Sequence, residues 1–311
     1  MICTNCGAKI PDNSTTCEKC GAKIEAPETE EKTRNKALSA VLIIVFILGA
    51  VAAILLLNIR KNSPLHGARL KKQVVWETED LTVSVKGLKY DKENTENPYY
   101  IEMKAENKGS ADKVVTCEAA AINDVKVDAD FELNVPAGGE AEGRLTFTDR
   151  YLNSLDIFKT FSTVSLALRS DDQISGKVSM KTGLKKNKAT LNKGDATHQY
   201  DENDVIVNYE ALDVGYSGFG PAVVLYVENN SDEVIRARIG EVKVNGTVVE
   251  CKDDDTGLLP HTAGYVQFVI DNEQLTSNNL LPLSKVSTKI EFYDPVTQET
   301  KFTAPILINN P

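Results

Sequence analysis

The chain is poor in the residues that catalysis and stacking most often use. Aromatic residues make up 6% of its 311 positions, with a single tryptophan, so stacked platforms for sugars or bases are not evident. Its three histidines, His66, His198 and His261, are scattered without metal-ligand spacing and read as surface-loop residues. No G-x-S-x-G elbow, H-E-x-x-H pair or phosphate-binding glycine loop occurs, and the glycines of 214–220 read as a hairpin loop. Carboxylate pairs do not single out a glycosidase, because so acidic a chain generates many of them. No catalytic residue is assigned, and the chain reads as a non-enzyme. A basic excess is also missing: the net charge of −10 argues against a general nucleic-acid binder, which needs cations to displace counterions from phosphates. Cysteine is scarce beyond residue 20, where only Cys117 and Cys251 remain, which excludes a disulfide framework.

What is present begins at the N-terminus. The octapeptide pattern C-x-x-C-G-A-K-I occurs twice, at Cys3, Cys6 and Gly7 and again at Cys17, Cys20 and Gly21. In each copy the glycine permits the positive φ that turns two thiolates inward toward one metal. Two such knuckles predict a closed tetrahedral site of Cys3, Cys6, Cys17 and Cys20 holding one structural Zn2+, and a zinc ribbon over residues 1–24. So short a segment lacks an apolar core, so zinc is expected to supply its folding free energy, about 10–16 kcal/mol in finger peptides.

Residues 25–36 are polar and acidic and read as a linker. Residues 37–59 carry only Ser39 and Asn58 as polar side chains; as a helix the stretch measures roughly 34 Å and predicts one transmembrane helix in a lipid bilayer. Flanking lysines and arginines balance, so charge does not orient it. Zinc thiolates persist best in a reducing compartment, which places the N-terminus in the cytoplasm and the later domains outside. Residues 60–73 form a basic juxtamembrane linker whose cations can touch lipid headgroups. Gly49, Ala50, Ala52 and Ala53 offer a small-residue face for helix pairing in a homo-oligomer.

Beyond residue 74 short alternating apolar runs are separated by Asn-Gly, Pro-x-x-Gly and Asp-Pro punctuation, which indicates antiparallel strands. The series Ala105-Glu106-Asn107-Lys108, Val125-Lys126-Val127 and Val135-Pro136-Ala137-Gly138-Gly139 is answered by Val227-Glu228-Asn229-Asn230, Val242-Lys243-Val244 and Leu259-Pro260-His261-Thr262-Ala263-Gly264. A tandem repeat of about 110 residues follows. The expected fold is mainly β: after the ribbon and the membrane helix come two tandem antiparallel immunoglobulin-like β-sandwiches, 74–180 and 201–311, joined by a lysine-rich linker over 181–200. Alternation lapses at 149–158 and 272–280, where a short helical insertion is expected in each repeat. The run Asp253-Asp254-Asp255 could hold calcium, although it lacks the alternating ligands of an EF-hand loop.

The duplicated C-x-x-C-G, the acidic linker and the apolar stretch together resemble the zinc-ribbon membrane proteins of Gram-positive bacteria. Val244-Asn245-Gly246, Pro136-Ala137-Gly138-Gly139 and Phe292-Tyr293-Asp294-Pro295 look like the immunoglobulin-like ectodomains attached to such ribbons. The resemblance carries the four zinc ligands over to Cys3, Cys6, Cys17 and Cys20 and supplies no catalytic residue. It implies a bacterial envelope protein. The expected function is that of a membrane-anchored binding, scaffold or envelope-sensing protein: outer repeats on an envelope partner, ribbon on a cytosolic protein. Rival readings are a membrane-tethered nucleic-acid-binding ribbon, weakened by having only Lys9, Lys19 and Lys23, and an envelope enzyme with an unrecognised site.

Overall fold

The computed structural model describes residues 1–24, 65, 67–194, 198–214, 218–253, 255–309 and 311. The chain divides into two compact units, residues 1–62 and 63–311. Among the described residues no helix is long and apolar enough to cross a membrane, so the transmembrane helix of the expected fold is not part of the observed architecture. The 37–59 stretch that suggested it lies outside the described residues, as do the 25–36 linker and His66.

The second unit is built from strands. Its first half contains β1 (Gln73–Glu77), β2 (Leu81–Tyr90), β3 (Tyr99–Asn107), β4 (Lys113–Ile122), β5 (Val125–Val127), β6 (Ala129–Asp130), β7 (Glu132–Val135), β8 (Glu140–Phe147), β9 (Thr163–Ser170), β10 (Gln173–Ile174) and β11 (Val178–Lys181). Its second half contains β12 (His198–Glu202), β13 (Val205–Asp213), β14 (Ala222–Asn229), β15 (Ile235–Ile239), β16 (Val242–Val244), β17 (Thr247–Val249), β18 (Cys251–Asp253), β19 (Thr256–Leu258), β20 (Thr262–Ile270), β21 (Lys285–Tyr293) and β22 (Thr300–Asn309). The two expected helical insertions are a 3-10 turn at Asp156–Lys159 and an α-helix at Asn272–Ser277.

Among the described residues three sheets result, in the orders β1-β2-β3-β8-β6, β10-β9-β4-β5-β20-β14-β13-β12 and β17-β16-β21-β15-β19, with β7, β11 and β18 on the second sheet and β22 on the third. One core lies between the first sheet and the first-half strands of the second, filled by Val83, Ile101, Met103, Leu145, Phe147, Leu166 and Leu168. The other lies between the second-half strands of that sheet and the third sheet, around Val207, Leu225, Phe268, Ile290, Phe292 and Ile306.

This overturns the expectation of two separate immunoglobulin-like sandwiches. One sheet runs through both halves, because β5 joins β20 in parallel at Val125 and Ala263. Alternation reveals strands but not partners this distant in sequence, and so could not show the join. Two glycines permit it. A Cβ on Gly257 would fall 2.0 Å from the Glu118 carbonyl oxygen, and one on Gly264 would fall 2.5 Å from Lys126 Cβ. Ala119, Ala121 and Ala167 meet Val234 and Leu259 in a small buried cluster across the junction. Strands β4 and β9 are thus covered on both faces, one side by the first core and the other by the junction. That accounts for their near-continuous buried runs, where β3 alternates.

The repeat itself is present in the structure. Position i of the first half answers to i + 122 in the second, so that Asn107 corresponds to Asn229 and Asn123 to Asn245. The amide of Asn107 donates to the carbonyls of Ala111 and Val135, and that of Asn229 to those of Glu233, Leu258 and Leu259. Asn123 and Asn245 both take positive φ, 57° and 50°, and bind the serine and main chain opening β9 and β21. The buried Asn107, Asn123 and Asn229 and the exposed Asn245 all donate to main-chain carbonyls, and at the three buried positions an apolar residue would leave those carbonyls unpaired.

Candidate metal centre

The four ribbon cysteines converge. Their sulfurs lie within 4.8 Å of one another, with Cys3 Sγ to Cys20 Sγ and Cys6 Sγ to Cys17 Sγ both at 3.7 Å. Zn–S bonds of ~2.3 Å in a tetrahedron place the sulfurs ~3.8 Å apart, so the cage fits zinc; a disulfide would require ~2.05 Å. All four thiols are unbridged.

Two equivalent knuckles build the cage. The amide of Gly7 donates to the Cys3 carbonyl at 2.9 Å and that of Gly21 to the Cys17 carbonyl at 2.8 Å, with φ of +66° and +70° at the glycines. Cys3 N–H reaches the Ala8 carbonyl at 2.8 Å, and Cys17 N–H the Ala22 carbonyl at 2.9 Å. Short bridges pair Ile2 with Lys9 and Thr16 with Lys23. The main-chain framework of one knuckle recurs 14 residues on, so the metal is held by two copies of one device. Cys3 and Cys17 are buried with Ile10, while Cys6 and Cys20 face outward.

Main-chain amides prepare the thiolates. Asn5 and Cys6 N–H groups lower the pKa of Cys3, and the Ala22 amide, aided by the neighbouring thiols, holds Cys20 at about 6. At Cys6 the Ala8 amide acts in the same direction but is outweighed by the adjacent sulfurs and by burial, which push it up to about 12. Four anionic sulfurs at this spacing repel one another, and a divalent cation offsets that repulsion.

The other sequence candidates do not assemble. Asp255 is engaged by Arg236 at 3.0 Å and by the Tyr293 hydroxyl, and Asp253 accepts the Ile239 amide at 2.8 Å, while Asp254 lies outside the described residues. His261 is exposed and lies 2.9 Å from Asp232. Cys117 and Cys251 are not equivalent under the repeat, and burial pushes the Cys117 thiol up to about 12, which makes it a poor nucleophile.

Sequence reading missed a charged cluster at the junction. Glu118, its side chain 3% exposed, meets Arg236 at 2.6 Å and lies 3.9 Å from Arg169. Burial opposes the charge on Arg236, but Glu118 and Asp255 outweigh it and raise its pKa. A polar cavity of about 140 Å³ opens beside these groups, smaller than the ~300 Å³ of small-molecule sites. Its signal in the sequence is the alanine run at 119–121, which stands where the second half has Glu241, Val242 and Lys243.

Residues 2–24 match the zinc-ribbon domain family. Together with the four-sulfur cage this makes residues 1–24 a zinc ribbon with one structural zinc ion. No curated protein matches the chain. Among solved structures it is similar to a protein of unknown function from Porphyromonas gingivalis, at 12% identity over 68% of this chain and 90% of that one, with a TM-score of 0.20. Red sea bream transglutaminase follows at 10% identity, 75% of this chain and 31% of that one, TM-score 0.22. The Pseudomonas aeruginosa CupB2 chaperone shares 13% identity over 67% of this chain and 92% of that one, TM-score 0.20. Likenesses at such TM-scores carry no inference about function.

Proposed function

We propose that the protein is a non-enzymatic binding or scaffold protein of a bacterial membrane, in which the zinc ribbon engages one protein partner and the β unit another. The observation that carries this reading is the closed metal centre. Four thiolates fill a tetrahedral zinc, leaving no position for substrate or water, so the ribbon's chemistry is that of a small rigid surface. Within the β unit the junction's charged groups are consumed by cross-strand pairs, and open strand edges such as β1, with Val74 exposed, suit protein contacts. The apolar 37–59 sequence supports attachment to a bilayer, with the ribbon on the cytoplasmic side.

The test places a photo-cross-linking residue at Asn5 or at Val74 in living cells. Two different adducts in the membrane fraction are expected, with the Asn5 adduct lost when Cys17→Ser dismantles the ribbon. Recovery of the chain in the soluble fraction would overturn the membrane reading. A membrane-bound chain without adducts at either position would overturn the scaffold reading.

A further inference from the structure

Arg69, Lys71, Lys72 and Gln73 are exposed where the chain enters the β unit, while Ala68 and Leu70 are buried in the first core. This segment runs beside β11, with Arg69 N–H donating to the Thr182 carbonyl at 3.3 Å. One groove is therefore lined by Arg69, Lys71 and Gln73 together with Ser179 and Lys181 of β11, residues more than 100 positions apart in sequence. Among the described residues none of the three cations has a carboxylate within ion-pair distance, whereas Lys86, Lys104 and Lys113 nearby in sequence all do. Lys72 instead helps depress the pKa of Glu142. No acidic side chain lines the groove, in a chain whose net charge is −10.

Such a concentration of unpaired cations in an acidic protein calls for an anionic counterpart. Its place in the sequence points to one: Arg69 follows the apolar 37–59 stretch by ten residues. We infer that Arg69, Lys71 and Lys181 form a docking surface for anionic phospholipid headgroups. The groove thereby holds the β unit against the bilayer to which the chain is attached. The inference rests on the membrane attachment proposed above and adds a lipid class and a surface to it. A juxtamembrane cation near an anionic surface contributes a few-fold each, so three together favour the docked state by roughly 100-fold, and salt screens the effect.

The test uses the full chain, zinc-loaded, with Cys117→Ser, Cys251→Ser and Gln73→Cys carrying a fluorophore. The protein is reconstituted in nanodiscs of phosphatidylcholine alone or with phosphatidylglycerol, each containing a headgroup nitroxide quencher. Quenching is expected to rise several-fold with phosphatidylglycerol, and to return to the neutral-lipid level in 0.5 M salt (about a 4 Å Debye length). R69Q/K71Q/K181Q should also abolish the rise. Equal quenching in both discs, or a rise that the triple variant retains, overturns the docking surface alone. Failure of the chain to enter either disc overturns the membrane attachment beneath it.

Discussion

The ribbon and the β unit are both duplications, and they have kept their symmetry to different degrees. In the ribbon the main-chain hydrogen bonds that shape the first knuckle recur in the second, because one metal ion demands two equivalent pairs of sulfurs. In the β unit the turn asparagines recur, but the outward faces do not. Gly264 stands where the first half has the exposed Glu142 and Gly257 where it has the core residue Val135, and Ala119, Ala121 and Ala167 stand where the second half has Glu241, Lys243 and Lys289. The junction uses a different face of each half, so each acquired small residues only on its own side. The corresponding faces remain charged and solvated: Lys243 pairs with Glu241, Lys289 with Glu291 and Lys86 with Glu142. A bonding centre common to both copies preserves symmetry; a contact between the copies breaks it.

The largest test of this contrast removes the metal. Chelation, Cys3→Ser or Cys17→Ser should each unfold the ribbon, withdrawing most of the roughly 10–16 kcal/mol that a structural zinc provides. The equivalent substitutions should act alike, since the knuckles are equivalent. Zinc content by mass spectrometry and amide exchange over residues 1–24 report the loss. The thermal transition of the β unit should stay in place, because its cores contain no ribbon residue.

The β unit should respond in the opposite way, with equivalent exchanges acting unequally. Gly257→Val copies Val135 into the junction, where a Cβ already falls 2.0 Å from the Glu118 carbonyl oxygen. A backbone neighbour cannot rotate away, so a cost of about 3 kcal/mol or more is expected, at the upper end for overpacking. The same substitution should split the denaturation of the β unit into two transitions in calorimetry, one for each core. Glu142→Gly, the reverse exchange at the position matching Gly264, loses one exposed pair with Lys86 and a strand side chain, and should lower the thermal midpoint far less than Gly257→Val does.

These differences also mark what could be read from the sequence. The zinc ligands were legible because C-x-x-C-G encodes its geometry within five residues. The strands and the existence of a repeat were legible from alternation and matched motifs, although the period is 122, not about 110. The junction was not legible, because β5 meets β20 across more than 130 residues and the contact is signalled only by what is small: Gly257, Gly264 and the alanines at 119–121. Asn107 and Asn229 were visible as matching letters, but their role as buried carbonyl partners depends on turns whose depth no spacing reveals.

The smallest effect concerns another matched pair, Asp149 and Asp271. Each caps a turn by accepting the amide two residues on, from Tyr151 and Glu273, both at 2.8 Å. Asp149 is buried, and burial raises its pKa above the usual 3.8, although Lys126 opposes the shift. For an acid whose folded pKa exceeds its unfolded one, the folded state binds the proton more tightly. The contribution of Asp149 to stability is therefore fully present below about 3.8 and is lost as pH rises through the folded pKa. Asp294 runs the other way: the Thr297 and Val296 amides lower its pKa, so its contribution is present above 3.8 and lost as pH falls through the folded value. Carboxyl carbon NMR should find Asp149 titrating above Asp294. Asp149→Asn removes the buried charge but leaves one oxygen for two amides, Tyr151 and Asp128, so at pH 7 the gain and the loss should nearly cancel, within about 1 kcal/mol. A larger loss at pH 7 would show that the anion itself holds this turn, and that the two capping aspartates have stayed closer in function than their burial indicates.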